Sequence, residues 1–277
     1  MIPPCRWDMK RPGMIILVFF LSFCSVSGQF HASEASVTAT GESYATRAGF
    51  SAVMLNQAGL GEIHQPSVSL HHQQPFVTGE VAVTSLVLQL PVFRGAFGFN
   101  FSSCGIKGLH YSAAWISYGL DLHPDLSVGT GMHFHIASIP GQPFHRWGVS
   151  CALGIQLRIN EELMLGAHVM HPAGWISPGM GVRMKEMMIT TGFSYTFFQT
   201  ATFFGDLHIR SKEFMQTCFG IETGITDEVS FYLGMHNAPL SLACGVEVLH
   251  QSWSIQIASQ YILDTGNIPH ASLAYIF

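Results

Sequence analysis

The chain has 277 residues, of which 10% are charged and 48% hydrophobic, and its formal charge is −5. Ordinary soluble domains carry about 25% charged residues, so polarity here has to come from Ser, Thr, Gln, His and Gly. The acidic balance argues against nucleic acid as a partner, and the absence of any later apolar run of 18 residues or more rules out a helical membrane protein.

In chain order, Lys10 and Arg11 precede an apolar run from Met14 to Phe23, and Ser25-Val26-Ser27-Gly28 follows. A charged start, an apolar run of this length and small residues at its end predict a secretory signal peptide over 1–28, cut after Gly28. Phe23 before Cys24 is too large for a lipoprotein signal. Residues 29–64 form an N-terminal region: a polar, small-residue arm over 29–41, expected to be loose, then 44–60, the only stretch that reads as helical. Cys104, Cys151, Cys218 and Cys244 are widely spaced and read as small apolar strand residues.

From Gln65 onward the pattern alternates with a period of 2. In Trp147–Arg158, Trp147, Val149, Cys151, Leu153, Ile155 and Leu157 face one way and Gly148, Ser150, Ala152, Gly154, Gln156 and Arg158 the other. Fourteen such segments are predicted: 65–74, 80–90, 94–104, 107–120, 125–137, 146–158, 162–171, 187–198, 200–211, 213–224, 227–236, 240–249, 252–263 and 268–277. Nine to thirteen residues suits a tilted membrane strand, and an even count suits a bacterial barrel. With both ends on one side, the long connections near 138–145, 171–186 and 264–267 share the opposite side, whereas 159–161, 199, 225–226 and 250–251 are short turns. A strand at 178–186 would break that parity, so those residues are assigned to a connection. The fold class expected is therefore all-β: a transmembrane antiparallel β-barrel over 65–277, about fourteen strands, with a short N-terminal helical segment. In hydrocarbon only a closed sheet satisfies every backbone amide. Trp115, Trp147, Trp253, Tyr111, Tyr195 and Tyr261 are expected to form interfacial girdles on the outer face. The inner face, poor in charge, implies a narrow or packed lumen.

The last strand ends His270-Ala271-Ser272-Leu273-Ala274-Tyr275-Ile276-Phe277, with Tyr275 and Phe277 on the face of Ala271 and Leu273. It resembles the closing signal that barrel-assembly machinery reads in the bacterial outer membrane. Arg47-Ala48-Gly49-Phe50, followed by Leu55-Asn56-Gln57-Ala58-Gly59-Leu60, is similar to a segment of the PorV/PorQ-like outer-membrane proteins of type IX secretion systems, relatives of the FadL long-chain fatty-acid transporters. Gln57 stands where that family has Pro. Gly192-Phe193-Ser194-Tyr195 and Gly220-Ile221-Glu222-Thr223 resemble its strand starts. The resemblance implies a 14-strand barrel with a plug or hatch carrying Arg47, Asn56, Gln57, Ala58 and Gly59; an ordinary N-terminal helix lying under the barrel is the alternative. It implies a non-enzymatic protein that docks or shuttles secreted proteins with secretion-system components. The other reading is a FadL-like channel for hydrophobic ligands, and both place the chain among outer-membrane lipids.

The site candidates are lumenal polar residues. His133 and His135 share one strand face, but two imidazoles are short of a metal site and the sequence places no third. Asp206, His208 and Arg210 also share a face, and a hydrogen-bonded network with Glu222 or Glu247 from other strands is expected. Asp206 beside His208 invites a hydrolase reading, but no G-x-S-x-G marks a nucleophile. No cofactor motif is present.

Overall fold

The computed structural model describes residues 32–75, 81–106, 109–138, 146–177, 187–210, 215–263 and 265–277. The expected signal peptide over 1–28 and the 178–186 assignment lie outside them. Fourteen strands are described: β1 (Ser67–Gln73), β2 (Ala82–Val92), β3 (Gly95–Ile106), β4 (Leu109–His123), β5 (Leu126–Ser138), β6 (Arg146–Arg158), β7 (Leu163–Ile176), β8 (Met188–Phe197), β9 (Ala201–Arg210), β10 (Gln216–Thr226), β11 (Val229–Asn237), β12 (Leu240–His250), β13 (Trp253–Ile262) and β14 (Gly266–Ile276). Each pairs antiparallel with its neighbours in sequence, and β1 pairs with β14, Ser67 opposite Ile276, to close the barrel. The connections 93–94, 124–125, 159–162, 198–200, 227–228 and 251–252 all lie at one end, together with Ser67 and Ile276. This is the short-turn end.

Exposure shows which of the two alternating faces meets what. Leu86, Phe101, Ile257 and Leu242 point outward at 50–59% exposure, with no protein against them. An uncovered apolar band running round a closed sheet is what lipid would cover. Trp147, Tyr195, Trp253 and Tyr261 belong to this outer face, as expected, and Trp175 joins them against Trp147. Tyr111 and Trp115 do not: both are buried and point into the lumen. On β4 the inward set (Tyr111, Ala113, Trp115) is as apolar as the outward set, so alternation alone gives two faces without saying which is which.

The lumen is filled by the N-terminal region. The arm is not loose: Ala32, Ala35–Gly41 and Ser43 are buried inside the barrel, with a single-turn helix α1 at Ala35–Ala39. The helix expected over 44–60 resolves into two 3₁₀ turns, Phe50–Val53 and Gln57–Glu62. Gly49, with φ at 91°, stands immediately before the first turn and breaks any longer helix.

Strand β7 also differs from expectation. It does not stop at His171 but bulges there: Ala152 pairs with Met170 and Ser150 with Gly174, so Cys151 alone spans the extra residues 171–173. Pro172, which lacks an amide hydrogen, and the left-handed backbone of His171 (φ 56°) produce the break. Cys104, Cys151, Cys218 and Cys244 are free thiols.

Candidate functional site

An irregular segment inside a barrel cannot leave its backbone donors and acceptors bare. Here the strands supply partners from their uncharged inward side chains. The amides of Ala32, Ala35 and Ser36 donate to Ser85 Oγ (3.1 Å), Ser272 Oγ (2.9 Å) and Gln256 Oε1 (3.1 Å). The latter two occupy the free donors at the start of α1. The carbonyls of Gly49 and Val53 accept from Gln89 Nε2 (2.7 Å) and Ser117 Oγ (2.6 Å). Gln156 Nε2 donates to the carbonyls of Ala45 and Arg47, each at 3.2 Å. The Ser- and Gln-rich inward face is thus the hydrogen-bonding counterpart of the segment it encloses.

The segment also needs room, which inward glycines provide. A Cβ at Gly129 would fall on the backbone of Gln57, and one at Gly234 on the backbone of Thr40 and Gly41. Gly119, Gly154, Gly166 and Gly220 receive Gln57, Asn56, Ala45 and Thr40 in the same way. The glycines run round the wall from β4 to β11 and form a seat for the chain.

The expected hatch residues all lie in this seat. Asn56, Gln57, Ala58 and Gly59 are buried. Asn56 caps the second 3₁₀ turn by accepting from Ala58 N (3.3 Å), and its Nδ2 reaches Ala45 O. Gln57 Nε2 donates to Leu55 O (3.0 Å), a local bond that fixes the turn without a proline ring. Arg47 pairs with Glu222 at 3.2 Å and lies 4.1 Å above the ring of Phe204.

The lumenal polar residues face inward but do not form the single network expected. Asp206 Oδ2 accepts from the amides of Tyr44 (2.6 Å) and Ala45 (2.8 Å), and His208 Nε2 stands 3.9 Å from it. Glu222 serves Arg47 instead. Glu247 accepts from Tyr232 Oη, Ser254 Oγ and Gln256 Nε2. Arg210 lies further along the Asp206 face. Asp206 and Glu222 hold the threaded segment, whereas Glu247 is held by wall side chains of β11 and β13. Burial pushes the Glu34 carboxyl above its usual range, although Gln256 donates to it and partly opposes the shift. Burial likewise raises the Tyr44 phenol.

The segment divides the lumen. On its short-turn side is a polar pocket of about 290 Å³, lined by Glu62, His64, Asp121, Asp125, Ser127 and Arg158; Arg158 and Glu62 form an ion pair there. On the other side Val83, Cys104, Tyr111, Trp115, Met170 and Met188 pack with Phe50, Val53 and Met54 of the segment into one apolar cluster. Sequence reasoning did not find this cluster, because Tyr111 and Trp115 were assigned to the outer face.

His133 and His135 also lie on that side and have a third neighbour, His171, from the β7 bulge. Alternation along β7 would send His171 outward with Val169. The bulge turns it inward, where its Nδ1 is 2.7 Å from Ser150 Oγ. A left-handed non-glycine residue costs roughly 1–2 kcal/mol. The signal available in the sequence was Pro172 within a strand pattern.

No family model and no curated protein matches the chain. Solved structures do match its fold. The toluene transporter TbuX of Ralstonia pickettii superposes with a TM-score of 0.68 at 14% identity, covering 90% of this chain and 98% of that one. The monoaromatic hydrocarbon channel CymD gives 0.67 at 12% identity, covering 90% and 98%. A Pseudomonas aeruginosa FadL homologue gives 0.64 at 11% identity, covering 88% and 98%. The chain therefore has the fold of the FadL-like barrels.

Proposed function

We propose that this protein is a non-enzymatic outer-membrane channel for small hydrophobic molecules, closed at rest by its own N-terminal region. The observation that carries the reading is the division of the lumen: a hydrogen-bonded hatch fills the barrel, with an apolar, aromatic- and sulfur-lined cluster on one side and a polar pocket on the other. A lumen filled in this way has no water column for hydrophilic solutes, whereas an apolar passenger gains free energy on entering the cluster. The fold shared with toluene and hydrocarbon channels supports it. The secretion-accessory reading, docking or shuttling of secreted proteins, draws no support from those neighbours or from the geometry.

In this reading residues 1–28 are removed on export, 29–64 are the hatch and 65–277 the barrel. Lipid covers the outer band, and the short-turn end faces the periplasm. Tyr275 and Phe277 are the residues read by the assembly machinery; their rings lie 4.9 Å apart on the outer face, with Trp253 4.8 Å from Tyr275.

The test is uptake of labelled toluene and of a labelled long-chain fatty acid by cells producing the protein, compared with cells producing a variant lacking residues 44–61. Uptake above that of cells without the protein, and altered by the deletion, is expected. Uptake equal in all three strains for both compounds overturns the proposal.

A further inference from the structure

The geometry points to a divalent transition-metal site of the zinc class inside the lumen, built by His133, His135 and His171. One ring nitrogen from each lies within 4.8 Å of the others. The three rings meet edge-on, with centroids 5.7–6.3 Å apart. On a tetrahedral zinc ion with Zn–N of about 2.0–2.1 Å, three imidazole nitrogens stand roughly 3.4 Å apart. Closing the triangle asks for side-chain rotations that move each nitrogen by about an ångström or less, with no rearrangement of the sheet.

Three further features favour a metal over plain packing. Two of the imidazoles are already held through their second nitrogen: Tyr111 Oη lies 2.5 Å from His135 Nδ1, and Ser150 Oγ lies 2.7 Å from His171 Nδ1. Metal-binding histidines are oriented in this way. The donors are imidazoles alone, a set that suits Zn²⁺, Cu²⁺ or Ni²⁺ and not Mg²⁺ or Ca²⁺. Finally, the third ligand reaches the site only because β7 bulges at His171. A regular strand would deliver that ring to the outer face, so the local irregularity has the effect of completing the triad. Three protein ligands leave a fourth position for water. A bound ion would tie β5 to β7 across β6. The inference does not depend on the transport reading.

The experiment uses the purified mature protein in detergent, stripped with a chelator and titrated with Co²⁺, then with Zn²⁺. One equivalent of Co²⁺ is expected to give the visible absorption of a four-coordinate ion, and Zn²⁺ to abolish it. His171→Ala and His133→Ala should each weaken binding at least tenfold. His72→Ala, on the outer face of β1, should leave it unchanged. Heat-shift on a gel reports whether each variant folds. If the lumenal variants fail to fold, X-ray absorption at the zinc edge of the wild-type protein decides. Three imidazole scatterers support the site. A wild-type protein that takes up no stoichiometric Co²⁺, binding that survives in folded His171→Ala, or a zinc shell without three imidazoles overturns it.

Discussion

Asp206 is the most informative residue to perturb, because its Oδ2 holds the backbone of the hatch at two consecutive amides, Tyr44 and Ala45. Asp206→Ala leaves both N–H groups buried beside a gap. Hydrogen bonds to a charged group are worth about 1.5–3 kcal/mol each. The two share one oxygen, so they are not independent, and a pair value of about 3 kcal/mol is the sounder figure. That is roughly a hundredfold in the ratio of undocked to docked hatch. Asp206→Asn keeps an acceptor oxygen but loses the charge, and about 1 kcal/mol, a factor near five, is expected. Two measurements read this. Amide exchange at Tyr44 and Ala45 should accelerate in the order wild type, Asn, Ala. In planar bilayers the time spent in a conducting state should rise in the same order, since an undocked hatch frees the lumen. If Asp206→Ala leaves exchange at these amides and conductance at wild-type values, Asp206 does not latch the hatch.

Other perturbations test the remaining contacts. Gly129→Val puts a side chain where the Gln57 backbone lies; overpacking costs about 1–3 kcal/mol, so the barrel should still form while the hatch is displaced, and a silent conductance record would contradict the seat. Arg47→Met removes both the Glu222 pair and the cation over Phe204, and limited proteolysis should then cut within 40–60 in a barrel that is otherwise intact. Burial raises the Glu34 carboxyl in the docked state. Its contribution to docking is therefore complete below the unfolded value, about 4.3, and is lost as pH rises through the raised value. Hatch protection should fall with rising pH across that window, and Glu34→Gln should flatten the dependence; a flat wild-type profile would refute it. Phe277 is 68% exposed and touches Tyr275 alone among the aromatic rings described. Deleting it should change thermal stability by no more than about 1 kcal/mol yet lower the amount of barrel assembled in cells, and equal losses in both would argue against a recognition role.

Strand number, order and most bounds were legible because a half-apolar strand writes its period of 2 directly into the sequence; the exceptions are the far ends of β4 and β7, which run three and five residues past the expected segments. Val229–Asn237 and Trp253–Ile262 differ from the expected segments by a residue or two. Three things were not legible, each for a physical reason. The direction of Tyr111 and Trp115 was lost because the lumen beside the hatch is itself apolar, so both faces of β4 look alike. The arm over 29–41 read as loose because Ala, Ser, Thr and Gly are typical of linkers; here they are small because Thr40 and Gly41 pass against Gly220 and Gly234 with no space for a Cβ. His171 was missed because a bulge resets the alternation, and no rule of fixed period survives it. The lumenal carboxylates were placed on the correct face, yet their partners were sought on other strands. Asp206 and Glu222 instead bind the hatch, which strand periodicity does not describe.

The low charge of the chain, which leaves polarity to Ser, Thr, Gln, His and Gly, has a more specific cause in the structure. A barrel that holds a water column can leave charged side chains solvated along its wall. A barrel filled by its own chain cannot, because each lumenal charge has to be matched by a partner. The lumenal charges here follow that rule: Glu222 meets Arg47, Asp206 meets two amides, and Glu247 meets three donors. Elsewhere the wall offers Ser, Gln and Gly, which satisfy backbone groups or yield space to them. Composition, glycine placement and the buried N-terminal region are therefore one design constraint seen three ways. A homologous barrel with a water-filled lumen should lack both the glycine seat and the neutral hydrogen-bonding wall. If a relative of this chain kept both and yet conducted ions freely at rest, occupation of the lumen by residues 32–63 would not be the reason for either.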